Sequence, residues 1–263
     1  MAAKRPPRSF RVLGPVALVG TLTADDVAGS AVSFNARHLL EAAADAPIPA
    51  TKQLGNLTRA FVERAFDDMR WPAEYARLVR TYNRKLDEPD VWRLHLLRVA
   101  LQNARLLRKY RGAFSTTSRG RELLAPGREG ALFLELFAAY FERTNLAFAD
   151  GYPEDPWLQG GVPDLLALLH DLPARGVTIG DLAGALVVDV DVWTAAAAPY
   201  STPHEVLSGA LRRRILEPLE DFGLVTVTGP LKPTRHPWRD DAARTVTPTP
   251  LFARFVVDAQ TLN

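Results

Sequence analysis

Hydrophobic positions along this chain fall mostly at helical spacing, interrupted by short stretches that alternate or break the pattern. Residues 31–46 offer Phe34, Leu39, Leu40 and Ala43 to a core, and Pro47 and Pro49 end that helix, because proline lacks the donor N–H and clashes with the preceding turn. After the turn signal Gly55-Asn56, a second helical face starts with Leu57, Phe61, Ala65 and Phe66. Pro72, suited to a first helical position, opens a third through Tyr75, Leu78, Val79 and Tyr82. A longer, largely apolar helix is expected over residues 92–104. Two β-type segments follow it, Leu-Leu-Arg-Lys-Tyr at 106–110 and Ala-Phe-Ser-Thr-Thr at 113–117, joined at Arg111-Gly112, and a helical signal resumes at Ser118.

Further on, residues 131–143, 163–172 and 179–188 read as helices, with a Pro/Gly loop at 151–162. The order seen in the middle then recurs. Thr202-Pro203 is a cap followed by proline, and Leu207, Leu211, Ile215, Leu219 and Phe222 form an apolar stripe. A strand at 224–228, a Pro-broken loop at 229–241, a strand at 244–247 and a helix at 250–257 complete it. Residues 1–30 are a basic, Pro-containing lead-in with one strand within 11–19. Helix, two-stranded ribbon, helix is the back half of a winged helix, in which the helix can enter a nucleic-acid groove and the ribbon forms the wing. The expected fold is therefore mainly α with short β-hairpins (α+β), as tandem winged-helix units joined by an acidic helical segment. The expected divisions are a lead-in with one helix at 1–47, a basic winged-helix unit at 48–128, an acidic helical segment at 129–198 and a second unit with an enlarged wing at 199–263.

Charge sharpens this division. Residues 91–128 hold nine basic side chains against one acidic, a balance of +8, while residues 129–191 hold eleven carboxylates against Arg143 and Arg175, a balance of −9. The formal net charge of +2 conceals that polarity, which bears on partners rather than fold. Arg outnumbers Lys by 27 to 5, as a GC-rich coding sequence gives without selection, so the placement of the arginines is what informs. Several carboxylates, Asp164 and Asp181 among them, stand at expected helix starts, where they stabilise the positive end of the helix dipole.

Projected at about 100° per residue, His95, Arg98, Gln102 and Arg105 share one narrow stripe of the helix at 92–104. Two readings stay open: the exposed edge of a core helix, or a face for phosphates and base edges. The second gains from Arg108, Lys109 and Arg111 on the adjoining ribbon, which would extend the stripe into one positive surface. The candidate nucleic-acid-binding residues are thus His95, Arg98, Gln102, Arg105, Arg108, Lys109, Arg111 and Arg119, with Lys232, Arg235 and Arg239 on the second wing, where His236 and Trp238 also lie.

The segment Ala-Arg-Leu-Leu-Arg-Lys-Tyr-Arg-Gly-Ala-Phe-Ser-Thr-Thr-Ser-Arg-Gly-Arg-Glu-Leu-Leu resembles the end of a MarR-type winged helix, where a leucine-rich helix runs into a strand, a basic wing and a Thr-x-x-Gly-Arg turn. Together with Pro-Ala-Thr-Lys-Gln-Leu-Gly-Asn-Leu-Thr-Arg-Ala-Phe-Val upstream, it is also similar to a helical region of the plasmid pRiA4b ORF-3 family and related actinobacterial proteins. The resemblance spans residues 48–125. It rests on Thr51, Gly55, Asn56 and Leu57, then on Leu106, Leu107, Arg108, Lys109, Tyr110, Arg111, Gly112, Thr117, Gly120 and Arg121. It implies a DNA-binding scaffold and carries no activity with it.

Other functions find little footing. The absence of cysteine excludes a disulfide framework, a thiolate metal site and a cysteine nucleophile. The five histidines are scattered, with no pair at metal-binding spacing, and no phosphate-cradling glycine loop or Gly-x-Ser-x-Gly elbow occurs. Asp189-Val-Asp191 is better explained as a helix end or exposed edge than as a metal pair. No catalytic residue, metal or cofactor is expected. No run approaches the ~18 apolar residues needed to span a bilayer, and Arg11 and Pro15 interrupt the N-terminal apolar run, so a cytoplasmic protein is expected. The expected partner is DNA. The alternative is a non-enzymatic adaptor that engages a protein, or a second copy, through its acidic segment 129–191.

Overall fold

The computed structural model describes residues 10–172, 175–197, 201–229 and 241–262. The fold is mixed, mainly helical, and the described residues form three antiparallel three-stranded sheets. The chain divides into two compact units, a central one of residues 23–144 and an outer one that joins residues 1–22 to 145–263. Among the described residues no helix is long and apolar enough to cross a membrane.

The outer unit opens with β1 (Phe10–Leu13) and β2 (Val16–Val19), two strands and a turn where the sequence pattern predicts one strand. Gly14, at φ +58°, makes that turn possible. In the central unit, α1 (Ala24–Val27) is closed by a capping box between Thr23 and Asp26, and α2 (Ala31–Asp45) is capped by the Ser30 hydroxyl. Leu39, Leu40 and Ala43 of α2 are buried, as their spacing requires. Next come β3 (Ile48–Pro49), α3 (Arg59–Asp68) and α4 (Ala73–Tyr82), and then α5 (Trp92–Asn103) runs into the hairpin of β4 (Leu107–Tyr110) and β5 (Ala113–Thr116). Arg111 and Gly112 both take positive φ at the turn, the geometry that matches the right-handed twist of a two-residue hairpin. β3 pairs with β5, giving the sheet order β3-β5-β4. Then α6 (Ser118–Leu124) and α7 (Glu129–Ala138) complete the unit, α7 passing into a π turn at Ala139–Arg143.

Leu132, Phe133, Leu136 and Phe137 of α7 are buried, and α7 packs on α1, α2 and α6. The first part of the acidic segment therefore belongs to the same core as the basic hairpin, and the division falls at 144/145 rather than at 128/129.

The outer unit continues through α8 (Pro156–Gly160), α9 (Val162–His170), β6 (Val177–Thr178), α10 (Ile179–Ala185) and α11 (Val190–Ala196). Asp189 caps α11, accepting the N–H groups of Asp191 and Val192, which accounts for the Asp-Val-Asp sequence without a ligand. The apolar stripe of 207–222 lies on α12 (Pro203–Leu211), a π turn (Arg212–Leu216) and α13 (Glu217–Asp221), with Leu207, Leu211, Ile215, Leu219 and Phe222 all buried. The π turn has a local cause. Pro218 cannot donate to the preceding turn, and the Glu217 N–H reaches back five residues to the Arg212 carbonyl. Finally β7 (Val225–Thr228), β8 (Thr245–Pro248), α14 (Pro250–Phe255) and β9 (Val256–Asp258) follow, with sheet orders β6-β8-β7 and β1-β2-β9.

The two hairpins repeat one another bond for bond. In the central unit the Leu106 N–H donates to the Leu101 carbonyl at 2.9 Å and the Arg105 N–H to Gln102 at 2.9 Å. In the outer unit Leu224 donates to Leu219 at 2.9 Å and Gly223 to Glu220 at 2.9 Å. Arg105 and Gly223 take the left-handed conformation that ends each helix, at φ +58° and +76°. After each hairpin a threonine begins the next helix. Thr117 donates its hydroxyl to the Arg105 carbonyl at 2.8 Å and accepts from the Gly120 N–H at 3.0 Å. Thr249 donates to the Gly223 carbonyl at 2.7 Å and accepts from the Phe252 N–H at 3.2 Å. The third strands share a register too, Ile48 opposite Phe114 and Val177 opposite Val246.

Candidate nucleic-acid interface

The hairpin of β4 and β5 is anchored from below. The buried Thr116 hydroxyl donates to the Leu40 carbonyl of α2, and Leu107 and Phe114 are buried. A Cβ at Gly120 would stand 2.5 Å from the Leu106 carbonyl oxygen, so α6 starts in direct contact with the helix end that launches the hairpin. Alternation along β4 puts Leu107 and Lys109 on one face and Arg108 and Tyr110 on the other. The Lys109 ammonium reaches across to residue 55, occupying the space where a side chain on Gly55 would start. On the opposite face the guanidinium groups of Arg108 and Arg111 lie 6.0 and 5.1 Å from the centre of the Tyr110 ring, which is 59% exposed. Arg105, Arg108, Lys109 and Arg111 are exposed and have no carboxylate partner among the described residues.

The helix before the hairpin is a different matter. Arg98 is only 8% exposed, and Glu88, at 1%, is the reason. Glu88 Oε1 accepts from Arg98 Nε at 2.8 Å and contacts His95 Nδ1 at 2.7 Å, while Oε2 accepts the Leu57 backbone N–H. Gln102 accepts from a second Arg98 nitrogen, and the Arg98 guanidinium lies 5.4 Å from the centre of the Phe114 ring. Burial pushes the Glu88 carboxyl upward, but hydrogen bonds and charge from His95 and Arg98, with the Leu57 N–H, more than offset it and hold the group below the ordinary glutamate range. This corrects the reading of His95, Arg98 and Gln102 as a phosphate-facing stripe. His95 and Arg98 are bound to a buried carboxylate and Gln102 to Arg98, and α5 also buries Leu94, Leu96, Leu97, Ala100 and Leu101.

Of the remaining predicted residues, Arg119 is exposed but paired with Glu135, which also holds Arg143. Lys232, Arg235 and Arg239, with His236 and Trp238, lie outside the described residues. Glu88 was missed as an organising group. Its signal in the sequence is slight, an acid seven and ten residues before His95 and Arg98, across a Pro-containing turn. The loop of residues 51–56 was also missed as part of the surface. It leaves β3 beside the hairpin turn, where the Ala50 N–H donates to the Gly112 carbonyl at 2.8 Å, and it presents Lys52 and Leu54 to solvent. Among the described residues no group of three or more His, Asp or Glu side chains is arranged to hold a metal ion.

Residues 28–130 are similar to the Y4jL N-terminal domain family. That stretch lies inside the central unit and takes in α2 to α6 with the hairpin. Nothing among curated proteins or solved structures matches this chain.

Proposed function

We propose that this protein binds duplex DNA through two winged-helix modules, and that the wing of the central one grips phosphates without reading sequence. The observation that supports this most strongly is a cation excess the backbone does not require. Where the central module places Leu107-Arg-Lys-Tyr110, the outer one builds the same strand from Val225-Thr-Val-Thr228. Arg108 and Lys109 therefore do not follow from the shared strand, and together with Arg105 and Arg111 they place exposed cations on a rigid hairpin, an arrangement that suits a phosphate backbone. Because α5 is committed to the core, base-edge readout from a recognition helix is not part of the proposal, and binding is sequence-tolerant. The role is that of a non-enzymatic cytoplasmic factor in a regulatory, mobile-element or defence setting.

The test is an anisotropy titration on two unrelated duplexes at ~50 and ~200 mM salt, with the triple variant Arg108→Ala, Lys109→Ala, Arg111→Ala alongside. Each phosphate that a removed side chain no longer neutralises lowers the slope of log affinity against log salt by about one, so the triple variant should lose close to three. Equal affinity for wild type and variant removes the wing from the function.

A second reading, a protein-interaction adaptor, is favoured by one feature of the outer unit. The buried Asp155 carboxylate accepts from the Trp157 N–H at 2.9 Å, the Asp189 N–H at 3.3 Å and Trp193 Nε1 at 2.7 Å, which holds exposed Trp157, Val187 and Val190 around one anchor. Glu154, Asp189 and Asp191 lie beside them, so the partner would be basic and apolar, a second copy included. Light scattering across a salt series tests it. A mass above monomer that falls with salt supports the adaptor, and a monomer at every ionic strength counts against self-association.

A further inference from the structure

We propose that Leu54 is a wedge that enters the duplex between base pairs once the central wing is seated, so that this protein bends the DNA it binds. The inference rests on the DNA-binding reading above and adds a geometric consequence to it. Leu54 is 76% exposed, at the tip of a loop that its own hydrogen bonds hold in one shape. The Gly55 N–H donates to the Thr51 carbonyl at 2.9 Å, the Thr51 N–H to the Asn56 carbonyl at 2.7 Å, and the Asn56 N–H to Thr51 Oγ1 at 3.0 Å. Gly55 takes φ +67° to close that turn. Next in the chain, Leu57 is fixed by the Glu88 carboxylate, so the loop is clamped at its base as well as within.

The surroundings say what this tip meets. Lys52 stands two residues before Leu54, and the Lys109 ammonium rests on Gly55, the residue after it. An aliphatic side chain on a stiff loop, with an exposed lysine two residues before it, the Lys109 ammonium against the residue after it and a basic hairpin next to it, is the arrangement by which bending proteins pry open a base step. The cations hold the two backbones, and the apolar group replaces the stacking it removes. The kinks that such wedges produce, about 20–90°, fall within reach of end-to-end measurement.

The experiment uses the full chain and a duplex of ~25 base pairs, the size over which protein-induced bends are measured, labelled at its ends for energy transfer. Affinity is read from anisotropy on the same samples. Wild type is expected to shorten the end-to-end distance on binding. Leu54→Ala should bind within about tenfold of wild type yet leave the duplex straight, and Leu54→Phe should restore the bend. Wild type that binds without shortening the duplex, or Leu54→Ala that bends it as wild type does, overturns the wedge and leaves DNA binding standing. Wild type that fails to bind at ~50 mM salt overturns the reading beneath it and the wedge together. Because Leu54 is exposed, an unchanged far-ultraviolet circular dichroism spectrum is expected for both variants.

Discussion

Residues 101–120 and 219–252 build the same device, a helix closed by a left-handed residue, a hairpin, and a threonine that caps the next helix while binding the closed end. The two copies differ in what they hang on it. The central copy puts Arg105 in the left-handed position and connects its strands through two residues, whereas the outer copy uses Gly223 and spans residues 229–244. A non-glycine residue there costs roughly 1–2 kcal/mol. The central copy bears that cost for a side chain that makes no ion pair among the described residues. The shared backbone bonds define the module, while strand and turn side chains are free to serve something else.

The largest effect is expected from Glu88→Ala, which leaves the buried Arg98 guanidinium unpaired and the Leu57 N–H unsatisfied. Losing one partner of a buried pair typically costs about 3–5 kcal/mol, and denaturant unfolding should show it. The same group predicts a pH dependence. Its folded pKa is depressed, so its contribution is fully present above the ordinary glutamate range and is lost as pH falls through the lower folded value. The stability gap between wild type and Glu88→Gln should therefore close in acid; a gap that persists or widens there contradicts the assignment.

Gly120→Ala comes next. The added Cβ would press on the Leu106 carbonyl and on Thr116 Cγ2, while the aligned residue of the outer module is the buried Phe252. Overpacking of this kind costs about 1–3 kcal/mol, and thermal unfolding measures it; a neutral result would mean that α6 is free to shift away from the hairpin.

Thr117→Ala and Thr249→Ala should behave alike, each destabilising by about 0.5–2 kcal/mol, the usual worth of an N-cap. A large difference between them would show that the shared bonds do unequal duty. Smallest is the exchange at the left-handed position. Arg105→Gly should be neutral or stabilising by up to about 1 kcal/mol, and Gly223→Ala destabilising by about the same. If DNA binding holds, Arg105→Gly also lowers the salt slope by about one without loss of stability.

Much of the frame is legible in the residues. Pro47 and Pro49 end α2, Thr202-Pro203 starts α12, and Arg111-Gly112 sits at a two-residue turn, because capping and turn chemistry act over a few residues. The second strand of the N-terminal hairpin and its partner β9 are not legible, since a pairing between residues 16–18 and 256–258 leaves no local trace. Nor is the helix at Pro156–Gly160, five residues long inside a Pro/Gly stretch that reads as loop. Among the candidate site residues, Arg108, Lys109 and Arg111 are exposed on a hairpin, whereas His95 and Arg98 are claimed by Glu88 and Gln102 by Arg98.

Local chemistry fixes most of the helices, the two later hairpins and the excess of guanidinium groups around residues 91–128. Which of those cations face solvent follows from long-range packing. An arginine at helical spacing looks the same whether it will face water, a phosphate or a buried carboxylate. Arg98 and Arg108 differ because the turn at residues 88–90 brings Glu88 under α5, while among the described residues no carboxylate pairs with Arg108 at the hairpin.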